Sequence, residues 1–553
     1  MDYNLLAELL FPDVDKDISY YEEKYPQRNL KDGAIVTRYA PSPTGFVHIG
    51  NLFACMVERK MAKQTDGVFF LRIEDTDQKR EVENGTTGII NSLSEFGIDI
   101  DEGMIGENTE KGEYGPYKQS ERKEIYRTCA KHLTRRGYVY PCFCSEEELD
   151  EMRTKQEKAK ERPGYYGKWT KCRDLTLDQI KERIANGEKY ILRLKSPGNY
   201  DKKVLLKDVI KGHIEFPEND LDIVLIKSDG LPLYHFAHVV DDHFMRTTHV
   251  TRGDEWISSV PLHIQLFRAM GFEVPKFAHV APIMKDDNGS KRKLSKRKDP
   301  EASLSYYVEQ GIIKEAVMEY LMNIANASFE EWRRQKPDTD IEDFKLELNK
   351  MNVSGALFDM VKLLDIGKEK ISKLSAKEVY ERSLEWANKF DKDLTEFMTE
   401  DANYTTGIFN IERDTVKPRK DIAKWSDVKE NIVYMYDEYF YNNEEFVFQK
   451  INDKKEIDTI LNTYIEKYYD EKDEKEAWFN KIKDLSEELG YAREVKEYKK
   501  DPEKYKGHVG DVSMTIRIAL TKRQNTPDLY QIMKLFGIKR VKERINFYVT
   551  HSH

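Results

Sequence analysis

Long apolar segments are missing from this chain of 553 residues, and no run approaches the roughly 20 residues that a membrane-spanning helix needs. Cysteine is also scarce: five residues in so long a chain do not form a disulfide framework, and they fit a reducing cytoplasm. The first 31 residues lack a basic segment followed by an apolar one, which argues against a secretory signal peptide. These absences predict a cytoplasmic protein without membrane segments, and the length predicts several domains, each with its own core.

A surplus of positive charge is missing as well, because 90 basic and 100 acidic side chains give a formal net charge of −10. A nucleic-acid-binding protein of this composition needs local basic patches that neutralise phosphates. Two segments qualify: residues 290–298 (SKRKLSKRK) contain six basic residues among nine, and residues 515–544 contain eight. A basic cluster is more often a solvated face than a binding site, so these patches alone assign no RNA partner.

The N-terminal half has the pattern of an α/β nucleotide-binding unit. Residues 34–40 (AIVTRYA) predict a buried strand, and a turn rich in proline and glycine follows it. A helix is predicted next, with Ile49 and Phe53 on its apolar face, and residues 68–75 (VFFLRIED) predict another strand. A strand, a glycine turn, a helix and a strand are the opening of such a unit.

The pattern changes between residues 120 and 220, where helix-like segments alternate with short strands such as 190–195, and this change predicts an inserted domain. Strand-like residues 222–227 and a helix over 256–270 restore the α/β alternation. Beyond Pro300 the strand signals fade and amphipathic, charged helical stretches continue, which predicts an all-helical C-terminal part.

The first motif with chemical meaning occupies residues 40–51 (APSPTGFVHIGN). The N–H groups at a helix N-terminus and the positive end of the helix dipole attract phosphate groups. Gly45 and Gly50 let the backbone approach closely, and His48 can donate a hydrogen bond to a phosphate oxygen on which charge develops. The alternative is a strand-to-helix turn with a capping histidine, and HIG alone favours this alternative.

The second motif is KLSKR, residues 293–297, in a lysine-rich loop after Pro282. Two lysines three positions apart on a loop can close over a triphosphate as point charges. By itself such a loop is a solvated basic segment in most proteins. Together, in this order and separated by an α/β segment, the two motifs are much more specific.

With both motifs in place, the chain resembles the class I aminoacyl-tRNA synthetases, whose two signatures usually read HIGH and KMSKR. Here the signatures read HIGN and KLSKR. Five sequence segments resemble the glutamyl branch in particular: TRYAPSPTG, LRIEDTD, YHFAHVVDDH, RGDEW and GHVGDVSMTIRIAL. The resemblance covers most of residues 34–550, and the sequence similarity is weaker over 300–500. Residues 1–33 look like an extension to the family's core.

The resemblance implies two groups of site residues. The catalytic residues would be His48, Asn51, Lys293 and Lys296, and ATP would be bound by Thr44, Gly45, His48, Gly50, Lys293, Ser295 and Lys296. Glutamate would be bound by Arg38, Ala40, Ser42, Glu74, Tyr234, His238 and Arg252. A guanidinium meets a carboxylate with two hydrogen bonds, which suits an acidic substrate. Without the resemblance, a structural ion pair at the surface would be the preferred interpretation of Arg38 or Arg252.

The chain departs from the usual pattern of this family at three positions. Asn51 replaces the second histidine of HIGH, and an amide can donate a hydrogen bond but cannot carry charge, which puts its share of catalysis in doubt. Leu294 replaces methionine, an apolar exchange of similar volume that should be tolerated. His238 stands where many bacterial relatives have asparagine, and it either contacts the substrate or fills the pocket wall.

Three of the cysteines, Cys142, Cys144 and Cys172, are close enough in sequence to share a zinc ion. A structural zinc site needs four ligands, and some members of the family complete it with a tyrosine. Tyr166 is the predicted fourth ligand, with the neighbouring Tyr165 as the alternative. Three reduced thiols without a metal are the competing interpretation.

The predicted fold class is therefore α/β: a Rossmann-like class I synthetase catalytic domain with an inserted acceptor-end-binding domain and a C-terminal all-helical anticodon-binding domain. The predicted divisions are an N-terminal extension (1–33), the first catalytic half (34–119), the insertion (120–220), the second catalytic half (221–285), a linking domain with KLSKR (286–375) and the anticodon-binding domain (376–553).

The function that the resemblance implies is glutamate–tRNA ligation, with ATP, Mg²⁺ and, if the cysteines hold it, Zn²⁺. L-glutamate and tRNA(Glu) are the expected partners, and the sequence leaves open whether tRNA(Gln) is also charged. A glutaminyl-type synthetase usually carries PPEPNG where this chain has APSPTG. A short tRNA-modifying paralogue lacks the residues beyond Pro300, and an inactive tRNA-binding paralogue is the remaining alternative.

Overall fold

The computed structural model describes residues 1–45, 47–77, 82–295, 297–443 and 445–551. These residues divide into two compact units, one of Met1–Tyr306 with Val317–Asp359 and one of Tyr307–Ala316 with Met360–His553. Among them, no helix is long and apolar enough to cross a membrane.

Thirteen strands are found among the described residues, all of them before residue 294. In chain order they are β1 Val36–Tyr39, β2 Val68–Leu71, β3 Glu102–Gly106, β4 Thr109–Lys111, β5 Val139–Cys142, β6 Ile191–Leu194, β7 Lys203–Asp208, β8 Gly212–Pro217, β9 Val224–Ile226, β10 His249–Gly253, β11 Lys276–Val280, β12 Met284–Asp287 and β13 Ser290–Lys293.

The helices of the first part of the chain alternate with these strands. They are α1 Tyr3–Leu10, α2 Ile18–Lys24, α3 Ile49–Lys63, α4 Gly85–Glu95, α5 Lys123–Arg135, α6 Glu146–Lys158, α7 Leu177–Ala185, α8 Tyr234–Phe244 and α9 Val260–Met270. After β13 follow α10 Leu304–Gln310, α11 Lys314–Ala325 and α12 Ser328–Gln335.

The second unit is built from helices, as the fading strand signals predict. They are α13 Met360–Ser372, α14 Ala376–Phe390, α15 Lys392–Glu400, α16 Ala402–Asn410, α17 Val428–Ile432, α18 Asp437–Asn442, α19 Lys454–Thr463, α20 Lys475–Glu488, α21 Val495–Lys500, α22 Val509–Thr521 and α23 Leu529–His551. Helix α23 is broken at Gly537, whose φ of 71° is easily adopted only by glycine.

Part of the basic segment 515–544 supports this helical unit from within. Arg544 is fully buried, and its guanidinium donates to the carbonyls of Tyr434, Met435 and Leu520 and pairs with Asp437 at 2.9 Å. A guanidinium with this set of acceptors ties α18, α22 and α23 together. The count of basic residues in the segment therefore overstates the charge that a phosphate could meet.

The strand order places a crevice at the carboxyl ends of three strands. Strands β1, β2 and β3 are parallel in the order β1-β2-β3-β4, and β10, β11 and β7 are parallel in the order β10-β11-β7-β8. The N–H of Thr248 donates to the carbonyl of Val36 at 3.0 Å, so the start of β10 lies beside β1. The order thus reverses between β1 and β10, and ligands of open α/β sheets bind beyond the strand ends at such a reversal.

One predicted division, between residues 220 and 221, separates strands that pair with one another. Strand β9, predicted to open the second catalytic half, pairs with β6 in a three-stranded antiparallel sheet with β5. Strands β7 and β8, predicted to lie in the insertion, join β11 through the pair Phe277–Asp208. The predicted helix over 256–270 also begins later, at Val260 after a 3₁₀ turn, because Pro261 lacks an N–H and suits a first helical turn.

Candidate active site

A cleft of about 1170 Å³ opens at the carboxyl ends of β1, β10 and β11. Its wall includes residues that directly follow these strands, such as Ala40, Ser42 and Pro282, and the first turn of α3. Among the predicted site residues, it is lined by Arg38, Ala40, Ser42, His48, Gly50, Asn51, Glu74, Tyr234, Arg252 and Lys293. The structure therefore brings most residues of both predicted groups to one cleft.

Arg252, near the end of β10, brings a buried positive charge to this cleft. Only 7% of it is exposed. Its Nε donates to Nε2 of His279 at 3.1 Å, and its Nη1 donates to the Tyr234 hydroxyl at 3.3 Å. Its Nη2 faces Nδ1 of His263 at 3.3 Å and the carbonyl of Trp256 at 3.4 Å.

All four of these acceptors are uncharged groups when the imidazoles are neutral. Burial lowers the pKa of His279 and places that of His263 well below its ordinary value, so both rings are neutral at pH 7. Among the described residues, no carboxylate lies within ion-pair distance (4 Å) of Arg252. A buried guanidinium without a counter-charge favours an anion from outside the protein.

Arg38 has the opposite environment. Its Nε donates to Asp242 on α8 at 3.1 Å, and the same carboxylate accepts from Arg72 at 2.7 Å. Glu58 lies 3.9 Å from Arg38, but burial raises the pKa of Glu58 to about 8, so it is protonated at neutral pH. Arg38 thus lines the cleft as a member of an ion-pair network, and Asp242 already balances part of its charge.

Glu74 belongs to the same network. It is 3.0 Å from Arg72, it is largely buried, and burial raises its pKa. It is also one of the residues that line the cleft.

His238 is fully buried under the cleft and is not among the residues that line it. Its Nδ1 lies 3.0 Å from Asp242, and its ring lies 4.5 Å from that of His263, centroid to centroid. Burial lowers the pKa of His238 to about 3, so the ring is neutral. His238 thus lies behind the residues that line the cleft.

His48 caps α3, as one of the two interpretations of HIG requires. The N–H of Gly50 donates to its Nδ1 at 2.9 Å, so the proton of the neutral imidazole resides on Nε2. Capping uses Nδ1, so any contact of His48 with a phosphate would be made through Nε2–H on this cleft-lining residue. Asn51, one turn into the helix, is exposed in the same cleft.

The KLSKR loop is organised by Asp299, which sequence reasoning missed. This buried carboxylate accepts from both Nη atoms of Arg292 at 2.6 and 2.8 Å and from the N–H of Ser295 at 2.9 Å. Hydrogen bonds from Arg292 hold the pKa of Asp299 well below its ordinary value. Lys293 is exposed and pairs with Glu255 at 3.2 Å, whereas Lys296 lies outside the described residues.

Three other predicted ATP-binding residues are not among those that line the cleft. Thr44 and Gly45 are exposed in the turn that precedes α3, where Gly45 has a φ of 132°. Ser295 is half-buried in the loop after β13. The structure places all three on the two segments that carry the motifs.

The three predicted cysteines form one cluster. Their sulfur atoms lie within 4.8 Å of one another, and the sulfurs of Cys144 and Cys172 are 3.8 Å apart. The hydroxyl of Tyr165 lies 3.4 Å from the sulfur of Cys144 and 3.6 Å from that of Cys142. The hydroxyl of the predicted ligand Tyr166 instead donates to the carbonyl of Arg162 at 2.8 Å, so the alternative, Tyr165, is the tyrosine beside the cysteines.

Comparison with known proteins gives the family of the chain. The family model for class I tRNA synthetases (E and Q), catalytic domain, matches residues 34–375, and an anticodon binding domain model matches residues 378–549. The chain is 52% identical to the glutamate–tRNA ligase of Clostridium perfringens (strain 13 / Type A) over 547 residues, which cover 99% of this chain and 100% of the relative. It is 33% identical to the glutamate–tRNA ligase of Bacillus subtilis (strain 168), with 92% and 98% covered.

A solved structure is similar over nearly the whole chain. The crystal structure of a glutamate tRNA ligase from Elizabethkingia meningosepticum, in complex with its amino acid, has 25% sequence identity and a TM-score of 0.74. The match covers 94% of this chain and 100% of that structure. With its two motifs at one cleft and the catalytic-domain model matched over residues 34–375, the chain belongs to the class I tRNA synthetases of the E and Q group.

Proposed function

We propose that this chain is a glutamate–tRNA ligase, which activates L-glutamate with ATP and transfers it to the 3′ end of tRNA(Glu). The observation that carries the proposal is Arg252, a buried cation in the cleft that is held by uncharged acceptors. A carboxylate is the ligand that such a guanidinium binds best, because a hydrogen bond between them is charge-assisted. The side-chain carboxylate of glutamate meets this requirement, whereas the amide of glutamine does not.

The remaining groups of the cleft have complementary roles in this proposal. Tyr234 orients Arg252 and adds a hydroxyl beside the substrate carboxylate, and Glu74 accepts from the substrate ammonium. Arg38 is held by Asp242 and shapes the floor with Ala40 and Ser42. The two ends of glutamate would thus meet fixed charges of opposite sign, which orient it for attack on ATP.

ATP lies, in this proposal, over the N-terminus of α3 and under the KLSKR loop. Backbone N–H groups at the helix start and Nε2–H of His48 face phosphate oxygens, and Lys293 and Lys296 approach as point charges. Mg²⁺ enters as part of the nucleotide substrate. The α-carboxylate of glutamate attacks the α-phosphate of ATP, which forms glutamyl-adenylate and releases pyrophosphate. This step needs positioning and charge stabilisation, so no covalent enzyme intermediate is assigned.

We also propose a structural zinc ion on the cysteine cluster. Three sulfurs that bind one tetrahedral zinc at about 2.3 Å would lie about 3.8 Å apart. The Cys144–Cys172 separation of 3.8 Å fits this spacing, and Tyr165 stands where a fourth ligand belongs. Zinc would tie β5 to the segment before α7 and would take no part in the reaction.

The helical second unit is the proposed reader of the anticodon, and the insertion the proposed holder of the acceptor end. The five unpaired cysteines support the cytoplasm as the place of action. Whether tRNA(Gln) is charged in addition depends on anticodon contacts in the helical unit.

Aminoacylation of purified tRNA(Glu) and tRNA(Gln) tests the function. The expected result is charging of tRNA(Glu) with glutamate. Charging with glutamine in preference would indicate a glutaminyl-type enzyme. Binding of tRNA without ATP–pyrophosphate exchange would indicate an inactive paralogue.

A further inference from the structure

A chain of hydrogen bonds behind Arg252 fixes the direction of its guanidinium. The Nε–H of Arg252 donates to Nε2 of His279 at 3.1 Å, so this nitrogen carries no proton. The proton of the neutral imidazole therefore resides on Nδ1, which lies 2.6 Å from a carboxylate oxygen of Asp208. This series of hydrogen bonds leads from the carboxylate of Asp208 through the imidazole of His279 to the guanidinium of Arg252.

Asp208 is itself held rigidly. It is the last residue of β7, and its carboxylate accepts from the N–H groups of Ile210 at 3.0 Å, Lys211 at 2.8 Å and His279 at 3.1 Å. Asp208 and His279 are buried, and His279 lies on β11 directly opposite Arg252 on β10. Both partners thus stand on paired strands of one sheet, which restricts their movement.

We propose that the Asp208–His279 pair is the positioning element for Arg252, and through it a determinant of selectivity for an acidic substrate. This inference rests on the proposed function. The pair does not touch the substrate. It fixes the orientation of the guanidinium plane so that the Nη atoms face the cleft.

The imidazole also keeps the positive charge of Arg252 available. A carboxylate in direct contact with a buried guanidinium would neutralise it and reduce its attraction for a substrate carboxylate. Here His279 stands between the two charges and passes on orientation without forming an ion pair at Arg252. Burial lowers the pKa of His279 despite the neighbouring carboxylate, which agrees with a neutral ring.

The experiment uses two variants of His279, each of which retains one of its two hydrogen bonds, either to Asp208 or to Arg252. In His279→Asn, the short amide can still donate to Asp208 but does not reach Arg252. In His279→Gln, the longer amide places its oxygen where Nε2 accepts from Arg252. The exposed His213 on β8, replaced as His213→Asn, is the matched control. Each protein is assayed by ATP–pyrophosphate exchange with glutamate in the presence of tRNA.

We expect His279→Asn to raise the KM for glutamate by about 10- to 100-fold, the effect of losing a hydrogen bond to a charged group. The KM for ATP should change less than about twofold, and His279→Gln should recover most of the loss. In an Arg252→Gln background, His279→Asn should have little further effect, because interacting residues are not additive.

Three outcomes would overturn the positioning role: equal losses in both variants, an additive loss in the Arg252→Gln background, or failure of both variants to fold, which would assign the pair to the core. The proposed function is judged separately by the wild type. Absence of exchange with glutamate in the wild type would refute that function, whereas an active wild type with additive variants would refute only the role of the pair.

Discussion

Replacing Arg252 with glutamine turns a buried guanidinium that lines the cleft into a neutral amide. The wild-type side chain is 7% exposed and donates to uncharged groups only, so its charge is left for a ligand. The variant keeps a hydrogen-bonding group beside Tyr234 and removes the cation. Glutamate then loses its counter-charge, while glutamine gains an amide partner.

The expected size of the effect follows from the burial of Arg252. Removing one partner of a buried, hydrogen-bonded charge pair costs about 2–5 kcal/mol. Taking about 3 kcal/mol, and a factor of ten for each 1.4 kcal/mol, kcat/KM for glutamate should fall about 100-fold. Efficiency with glutamine should stay level or rise, because a neutral hydrogen bond adds about 1 kcal/mol.

Stability provides a second and independent readout. In an internal ion pair, removal of the arginine would leave a buried carboxylate without a partner and cost about 3–5 kcal/mol. No described carboxylate lies within ion-pair distance of Arg252, so Arg252→Gln leaves no such carboxylate without its partner. The melting temperature of Arg252→Gln should therefore stay level or rise while activity falls.

The assay is tRNA charging with glutamate and with glutamine, for the wild type, Arg252→Gln and the control Arg268→Gln. Arg268 is exposed on α9, so its replacement should leave both activities unchanged. Equal losses for the two amino acids, together with a lower melting temperature, would show that Arg252 supports the fold and does not bind the substrate side chain.

Three further predictions concern other parts of the structure. Lys296→Ala should slow adenylate formation by about 10²–10³-fold in pre-steady-state measurements, and a normal rate would remove Lys296 from the mechanism. Protein purified without chelator should contain about one zinc per chain, which Cys144→Ser loses and the control Cys55→Ser retains; metal-free, active wild-type protein would contradict the site. Asp299→Asn should raise the KM for ATP about tenfold, because the variant weakens the hydrogen bonds that hold the KLSKR loop, whereas Asp287→Asn should have little effect. If the KM for ATP were the same in Asp299→Asn and Asp287→Asn, the buried carboxylate of Asp299 would have no role in ATP binding.

Features that depend on neighbouring residues could be predicted from the sequence. The HIG motif marks the start of α3 because a histidine cap and the glycine two positions later lie within one turn. The predicted α/β class, with a helical C-terminal part, is confirmed, since the strand and helix periods are read over short windows. Glycine turns and β-branched runs likewise predict β1 and β2 to within a few residues.

Pairings across the fold could not be predicted. Arg38 meets Asp242, which is 204 positions away, and His279 meets Asp208, which is 71 positions away. No local pattern states that Arg38 is balanced by a carboxylate and that Arg252 is not. The adjacent acids Asp241 and Asp242 within the apolar helix FAHVVDDHF were the available signal of a buried network.

Tyr165, and not Tyr166, lies beside the cysteines for a simple geometric reason. The backbone at Tyr166 is extended, with φ −155° and ψ 156°, so successive side chains point to opposite sides. Sequence spacing allows either tyrosine to approach the cysteines. Only the backbone register decides that Tyr165 faces them.

The central claim is that the cleft selects an amino acid with a carboxylate side chain. Its most direct test is the ratio of kcat/KM for glutamate and glutamine in charging of tRNA(Glu) by the wild-type protein. A buried guanidinium left unpaired by a neutral ligand should give a preference for glutamate of about 10⁴-fold or more. A ratio near one, or a preference for glutamine, would contradict the assignment of Arg252 and the function built on it.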